Sequence, residues 1–169
     1  MTHAPIHPDS LLAEIRTLIE DARLQVAHAA NAGLTIAYWR IGKRLLRENL
    51  TDGRGEYGQK ILASLAQQLE REYGKGFSYS ALTRMVRFAE LFSDEKILVS
   101  LIQELTWTHF IALLPLKDPL AREFYAEMCR MERWSVRTLR QKISGKLFER
   151  TGLSKNSEEI VRQELATLR

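Results

Sequence analysis

The sequence has few of the residues that build disulfide-rich, metal-centred or membrane-spanning proteins. Its 169 residues include one cysteine, Cys129, which excludes a disulfide within the chain and a zinc site made from several thiolates. No apolar run approaches the roughly 18–20 residues that a membrane span needs. The first ten residues lack the basic and apolar regions of a signal peptide. We therefore predict a soluble, cytoplasmic protein.

Recognisable catalytic and cofactor motifs are also missing. The four histidines form no metal-ligand pair with a carboxylate or with the cysteine at helical or zinc-finger spacing. Gly74-Lys75-Gly76 does not continue into a phosphate-binding loop, and no GxGxxG motif opens a βαβ unit. Asp94-Glu-Lys96 is superficially similar to part of a nuclease motif, but it lacks an earlier acidic ligand and the strands that would hold it. We predict no catalytic residue, metal or cofactor in this chain.

The four prolines and nine glycines cluster at segment borders, and apolar residues between them recur at helical spacing. This pattern predicts an all-α, compact multi-helix domain with a helix-turn-helix or winged-helix-like core. A break or kink at Asn31–Gly33 is expected between the first two helices. Short strands near 51–56 or 94–106 are an alternative, and they would form the wings of a winged-helix fold. The predicted helices are 10–30, 34–50, 57–73, 78–92, 94–104, 107–114, 119–131, 135–148 and 157–169. The predicted organisation is a flexible leader (1–9), the helical domain (10–150), and a linker with a final helix (151–169).

Basic residues are concentrated in two segments, although the formal net charge is only +4. Residues 40–47 contain no acid, and their four bases share one helical face: Arg40, Lys43, Arg44 and Arg47. Residues 130–150 hold seven bases, among them Arg137 and Arg140, against two acids. Such stripes are either solvated helix faces or phosphate contacts, and arginine favours contacts because its planar group pairs bidentately with phosphate.

A helix-turn-helix pattern is centred on the short turn from Tyr73 to Phe77. In the helix that follows, apolar residues form one stripe, while the other side carries Tyr79, Ser80, Thr83, Arg84 and Arg87. These side chains suit base edges and phosphates at the start of a recognition helix. The alternative is an ordinary helical hairpin with a polar outer face.

Several short motifs occur together in one order along residues 38–150: Tyr38-Trp-Arg-Ile-Gly42, Tyr57-Gly58, Gly74-Lys-Gly-Phe-Ser78, Leu105-Thr-Trp-Thr-His109, Arg122-Glu-Phe-Tyr125, Trp134-Ser-Val-Arg137 and Leu147-Phe-Glu-Arg150. Through them the chain resembles the N-terminal domain of the YhcG family, bacterial proteins whose C-terminal half is a predicted PD-(D/E)XK nuclease. Thr106, Thr108 and Phe148 stand where the family often has Ser, Ser and Tyr.

The resemblance implies a helical, winged-helix-like DNA-binding module that delivers a nuclease domain in cis, with the catalytic residues lying beyond residue 169. The exposed residues of the matching motifs, Lys75, Arg84, Arg87, Arg137 and Arg140, are the expected contacts. His109 is expected to be a partly buried histidine with satisfied hydrogen bonds, and a contact residue is the alternative. A second hypothesis is a protein-interaction or dimerisation module, which predicts an exposed apolar patch on the 11–26 helix and basic stripes that point in different directions. An autonomous enzyme is a third.

Overall fold

A computed structural model describes residues 8–48, 55–151, 163 and 165–167, and these residues contain helices but no strand. A single 3-10 turn, Lys75–Phe77, lies between the second and third helices. The helices are α1 (Pro8–Arg47), α2 (Gly55–Tyr73), α3 (Tyr79–Leu91), α4 (Glu95–Leu101), α5 (Trp107–Leu113), α6 (Pro119–Glu132), α7 (Val136–Ser144) and α8 (Leu147–Arg150). The all-α prediction is confirmed over this part of the chain.

Helix α1 runs without interruption for 40 residues, so the predicted break at Asn31–Gly33 is wrong. The Asn31 side chain makes tertiary contacts instead of ending the helix. Its amide lies 3.5 Å from the Leu105 carbonyl oxygen, and its Oδ1 accepts a bond from the Trp107 backbone N–H at 3.4 Å. A glycine inside a helix costs only about 1 kcal/mol relative to alanine, which the rest of so long a helix can offset.

The carboxyl-terminal part of α1 packs mainly against α3. Gly42 is buried at this contact, where a methyl group on its Cα would lie 2.0 Å from the Met85 carbonyl oxygen. Nearby, the Trp39 indole donates a 2.8 Å hydrogen bond to the Phe92 carbonyl. Helix α2 completes a three-helix unit, whose buried residues are Leu45, Leu62, Ala66, Leu82, Met85 and Val86.

A second, larger cluster joins the end of α3 to α4–α8, and Phe88 is a fully buried member of it. The Phe88 ring lies 4.8 Å from Phe110, 5.5 Å from Phe92 and 5.1 Å from Trp107, between ring centroids. Trp107 is half-buried and packs against both clusters. The α1–α3 unit is therefore held to the rest of the domain by aromatic contacts.

The observed boundaries correct two sequence predictions. Residues 95–101 form α4, with Asp94 accepting hydrogen bonds from two backbone N–H groups at its start, so 94–106 holds no wing. The predicted helix 135–148 is two helices, because Lys146 adopts a left-handed conformation with φ of 51°. The leader through residue 7, most of 51–56 and most of the predicted last helix lie outside the described residues.

Candidate nucleic-acid interface

Helix α3 presents one apolar face and one polar face, as predicted. It begins at Tyr79, and the Ser78 hydroxyl accepts a hydrogen bond from the Ala81 N–H as its N-cap. Leu82, Met85, Val86, Phe88 and Ala89 are buried. The opposite face exposes all five predicted contact residues, Tyr79, Ser80, Thr83, Arg84 and Arg87. Lys75, in the turn before the helix, is exposed as well.

Some of these side chains already have partners on the helix. The Thr83 hydroxyl donates to the Tyr79 carbonyl at 2.9 Å, and Arg87 forms an exposed ion pair with Glu90 at 3.3 Å. Arg84 and Lys75 form no ion pair within the described residues. An exposed ion pair is worth about 1 kcal/mol or less, so Glu90 can release Arg87 to a phosphate at little cost.

Arg122, which belongs to one of the family motifs but not to the predicted contacts, is a further cation that interacts with this face. It is buried on α6, and its guanidinium donates a 2.7 Å hydrogen bond to the Leu116 carbonyl. Burial lowers the pKa of Arg122, the charge of Arg87 lowers it further, and Asp118 raises it. Arg87 thus acts electrostatically on α6, a tertiary relation that no local sequence pattern encodes.

The four bases of residues 40–47 line one depression of about 450 Å³ together with Trp39, Ser93 and Glu95. The Lys43 ammonium lies 4.9 Å from the centre of the Trp39 ring, and Arg44 forms an ion pair with Glu48 on its own helix. Arg40 and Arg47 have no ion pair among the residues described. Because Ser93 follows α3, this group lies at the carboxyl end of that helix.

In the carboxyl-terminal stripe, some arginines form ion pairs and others form none with the residues that the structure describes. Arg130 bonds to the buried Glu127 at 2.9 Å, and Arg133 lies 3.6 Å from Glu104. Arg137 and Arg140 are exposed on α7, where they line a shallow depression of their own. The bases of residues 40–47 lie together in one depression, and those of α3 lie along one face of that helix. That all three groups form one continuous surface stays a prediction.

His109 is a buried residue whose two ring nitrogens are both hydrogen-bonded, which agrees with the first of its two sequence interpretations. It is buried at the start of α5, where its Nδ1 accepts a 3.0 Å bond from the Thr106 N–H. Its Nε2 lies 2.8 Å from the Trp134 carbonyl, which only an Nε2–H donor can satisfy. These partners fix the neutral tautomer. Desolvation lowers the pKa of His109, although the Trp134 carbonyl partly raises it.

The lowered pKa of His109 predicts an acid-sensitive fold. Above the ordinary value of 6.5 the imidazole is neutral in both states, and its contribution is fully present. Below that value the unfolded chain binds the proton and the folded chain resists it, so the free energy of unfolding falls with pH. His109→Gln keeps an acceptor for Thr106 but loses the Trp134 bond. We expect urea denaturation to show about 1–2 kcal/mol lower stability at neutral pH and a shallower decline towards about pH 5.5.

The exposed His28 provides the control for this test, because His28→Gln replaces an imidazole that has no partner among the described residues. It should leave the pH dependence unchanged. An equally steep acid decline in His109→Gln would show that other groups cause it.

No described residues combine into an evident catalytic centre. Cys129 is buried, and desolvation raises the pKa of its thiol to about 12, which leaves almost no nucleophilic thiolate at neutral pH. No group of three or more metal-ligating side chains occurs in the part of the chain that the structure describes. Nor does any described helix combine the length and hydropathy of a membrane span.

Comparison with known proteins gives the chain a family. The sequence profile of the DUF1016 N-terminal domain matches residues 14–150, which is most of the chain. The chain belongs to the DUF1016 N-terminal domain family. It is 27% identical over 176 aligned positions to the protein named "Putative nuclease YhcG" of Escherichia coli strain K12. The alignment covers 86% of this chain and 47% of that relative, so the chain spans about half of its length. No solved structure matches.

The family match agrees with the resemblance drawn from the motifs, and the fold explains several of them. Trp39 and Gly42 hold α1 against α3, through the Phe92 carbonyl and the backbone of Met85. In another motif, the buried Tyr125 hydroxyl accepts a 3.1 Å hydrogen bond from the Phe148 N–H. These motif residues therefore hold the helices together, while the exposed residues of α3 remain the candidates for contact with nucleic acid.

Proposed function

We propose that this chain is a DNA-binding module, which contacts duplex DNA through a helix-turn-helix-like unit formed by α2, the turn at 74–78 and α3. In a longer protein of the family, such a module would bring a nuclease domain in cis to its substrate. The start of α3 would approach base edges, and the basic residues of α1 and α7 would contact phosphates.

The observation that carries the proposal is the composition of the exposed face of α3. Five neighbouring polar, aromatic and basic side chains, from Tyr79 to Arg87, precede the first acid on that helix, Glu90. A solvated helix face usually mixes both signs of charge, whereas a phosphate-contacting face excludes acids. The segment 40–47 also contains no acid and lies at the other end of α3, where Glu95 from α4 shares its depression.

The relation to a protein named as a nuclease supports the choice of ligand, since a nuclease must find nucleic acid. The chain itself offers no evident catalytic centre in the residues described. A role in bringing a nuclease domain to DNA therefore fits these residues better than the activity of an autonomous enzyme does.

The proposal predicts salt-sensitive binding that depends on α3. We expect the chain to bind a labelled duplex in fluorescence anisotropy, with a logarithmic affinity that falls by about 0.9 per phosphate contact for each logarithmic unit of salt. Arg84→Ala combined with Arg87→Ala should weaken binding about tenfold or more and reduce the salt slope by about 1–2. Both arginines are exposed, so circular dichroism should show an unchanged fold.

Lys60→Ala combined with Lys96→Ala is the matched control. It removes the same charge from two exposed lysines, one near the start of α2 and one on α4, that are not among the proposed DNA contacts. It should bind nearly as well as the wild-type chain. Equal losses in both double variants would indicate attraction to net charge alone, and an absence of binding even at low salt would refute the proposal.

A further inference from the structure

The amino-terminal half of α1 projects from the domain with an uncovered apolar face. Residues 10–30 are all exposed, whereas from Asn31 onward the helix contacts its own domain. Six large apolar side chains lie on one side of this segment, each between 45% and 70% exposed: Leu11, Leu12, Ile15, Leu18, Ile19 and Val26. A helix of this length in water is marginal, and an apolar stripe this wide is typical of helices that pack against another element.

We propose that this face pairs with the same face of a second copy of the chain, as an antiparallel helix pair whose two-fold axis lies between residues 20 and 21. The stripe follows a heptad in which Leu12, Ile19 and Val26 occupy one core position and Ile15, Ala22 and Ala29 occupy the other. In the antiparallel register, Leu12 meets Ala29, Ile19 meets Ala22 and Ile15 meets Val26 of the other copy.

Side-chain size selects the antiparallel arrangement. Two of its three layers place a large side chain against a small one, so the helices keep an even spacing. A parallel pair would stack Ala22 on Ala22 and Ala29 on Ala29, which leaves thin layers between thick ones.

The length of the projecting segment fits the same register. Residue 10 of one copy would lie opposite residue 31 of the other, where the helix first meets its own domain. Each helix would thus cover the whole free segment of its partner, about 30 Å long. The six side chains leave roughly 100 Å² each exposed, so a pair would bury about 1,200 Å² or more, which reaches the size of a specific interface.

Ile19→Glu tests the pairing, because it places a carboxylate at the centre of the proposed contact. Light scattering after size exclusion, without DNA, should give the mass of two copies for the wild-type chain and of one copy for this variant, at concentrations up to about 100 μM. Leu24→Glu is the matched control, since Leu24 is 58% exposed on the opposite side of the same helix. It should keep the mass of two copies.

Cysteine crosslinking tests the orientation, and the buried Cys129 does not compete. A mixture of Ile15→Cys and Val26→Cys chains should form a disulfide between the two variants, whereas Val26→Cys alone should not. A wild-type chain of single-copy mass, a two-copy mass retained by Ile19→Glu, or rapid crosslinking of Val26→Cys with itself would each overturn the proposal. Since no nucleic acid is present, these results are independent of the DNA-binding hypothesis.

Discussion

Gly42→Ala is expected to lower the free energy of unfolding by about 3 kcal/mol, because the added methyl group would meet backbone. A Cβ at residue 42 would lie 2.0 Å from the Met85 carbonyl oxygen and 2.9 Å from the Ala89 Cβ. Neither neighbour is the movable end of a flexible side chain, so α1 and α3 must separate. Urea denaturation followed by far-ultraviolet circular dichroism would measure the loss.

Gly33→Ala is the control for this prediction. Gly33 lies in the same helix, and no atom lies within 4 Å of the position that its Cβ would occupy. Because alanine is the better helix former, this variant should be more stable by about 0.5–1 kcal/mol. A neutral Gly42→Ala variant beside a stabilised Gly33→Ala variant would show that α1 and α3 are not held at the observed distance.

Phe88→Ala is expected to cost about 3–5 kcal/mol, which is a large part of the stability of a domain of this size. The ring is fully buried and contacts the rings of Phe92, Trp107 and Phe110. Its removal opens a cavity where the α1–α3 unit joins the rest of the domain. Thermal and urea denaturation would measure the effect.

Phe88→Leu separates lost volume from lost aromatic contact. It fills most of the site, so it should cost less than half as much as Phe88→Ala. If both variants cost the same small amount, the ring contacts do not hold the two clusters together. The half-buried Trp107 at the same junction should tolerate truncation better than Phe88 does.

The sequence was most informative where a pattern is local. Helix α3 and the division between its buried and exposed faces were both predicted, because helical periodicity depends on residues only a few positions apart. The five exposed residues proposed for DNA contact followed directly from that periodicity.

Prediction failed where distant residues decide the outcome. Asn31 and Gly33 look like a helix break, but Asn31 is engaged by Leu105 and Trp107, more than seventy residues away. The division of residues 135–148 into two helices involves the left-handed Lys146. On either side of it along the chain, the Lys142 carbonyl and the Phe148 N–H both bond to the distant Tyr125 hydroxyl. The same limit applies to the candidate interface, since only tertiary packing determines whether α1, α3 and α7 present their bases together.

The unbroken α1 helix also determines the distance between the basic depressions of the proposed pair. Arg44 lies about 35 Å along the helix axis from the midpoint of the projecting segment, at a rise of 1.5 Å per residue. In the proposed pair, the two basic depressions would therefore lie about 70 Å apart, close to two turns of B-form DNA. Both depressions of such a pair would contact one duplex only if it has about 20 base pairs or more. A shorter duplex would contact a single depression.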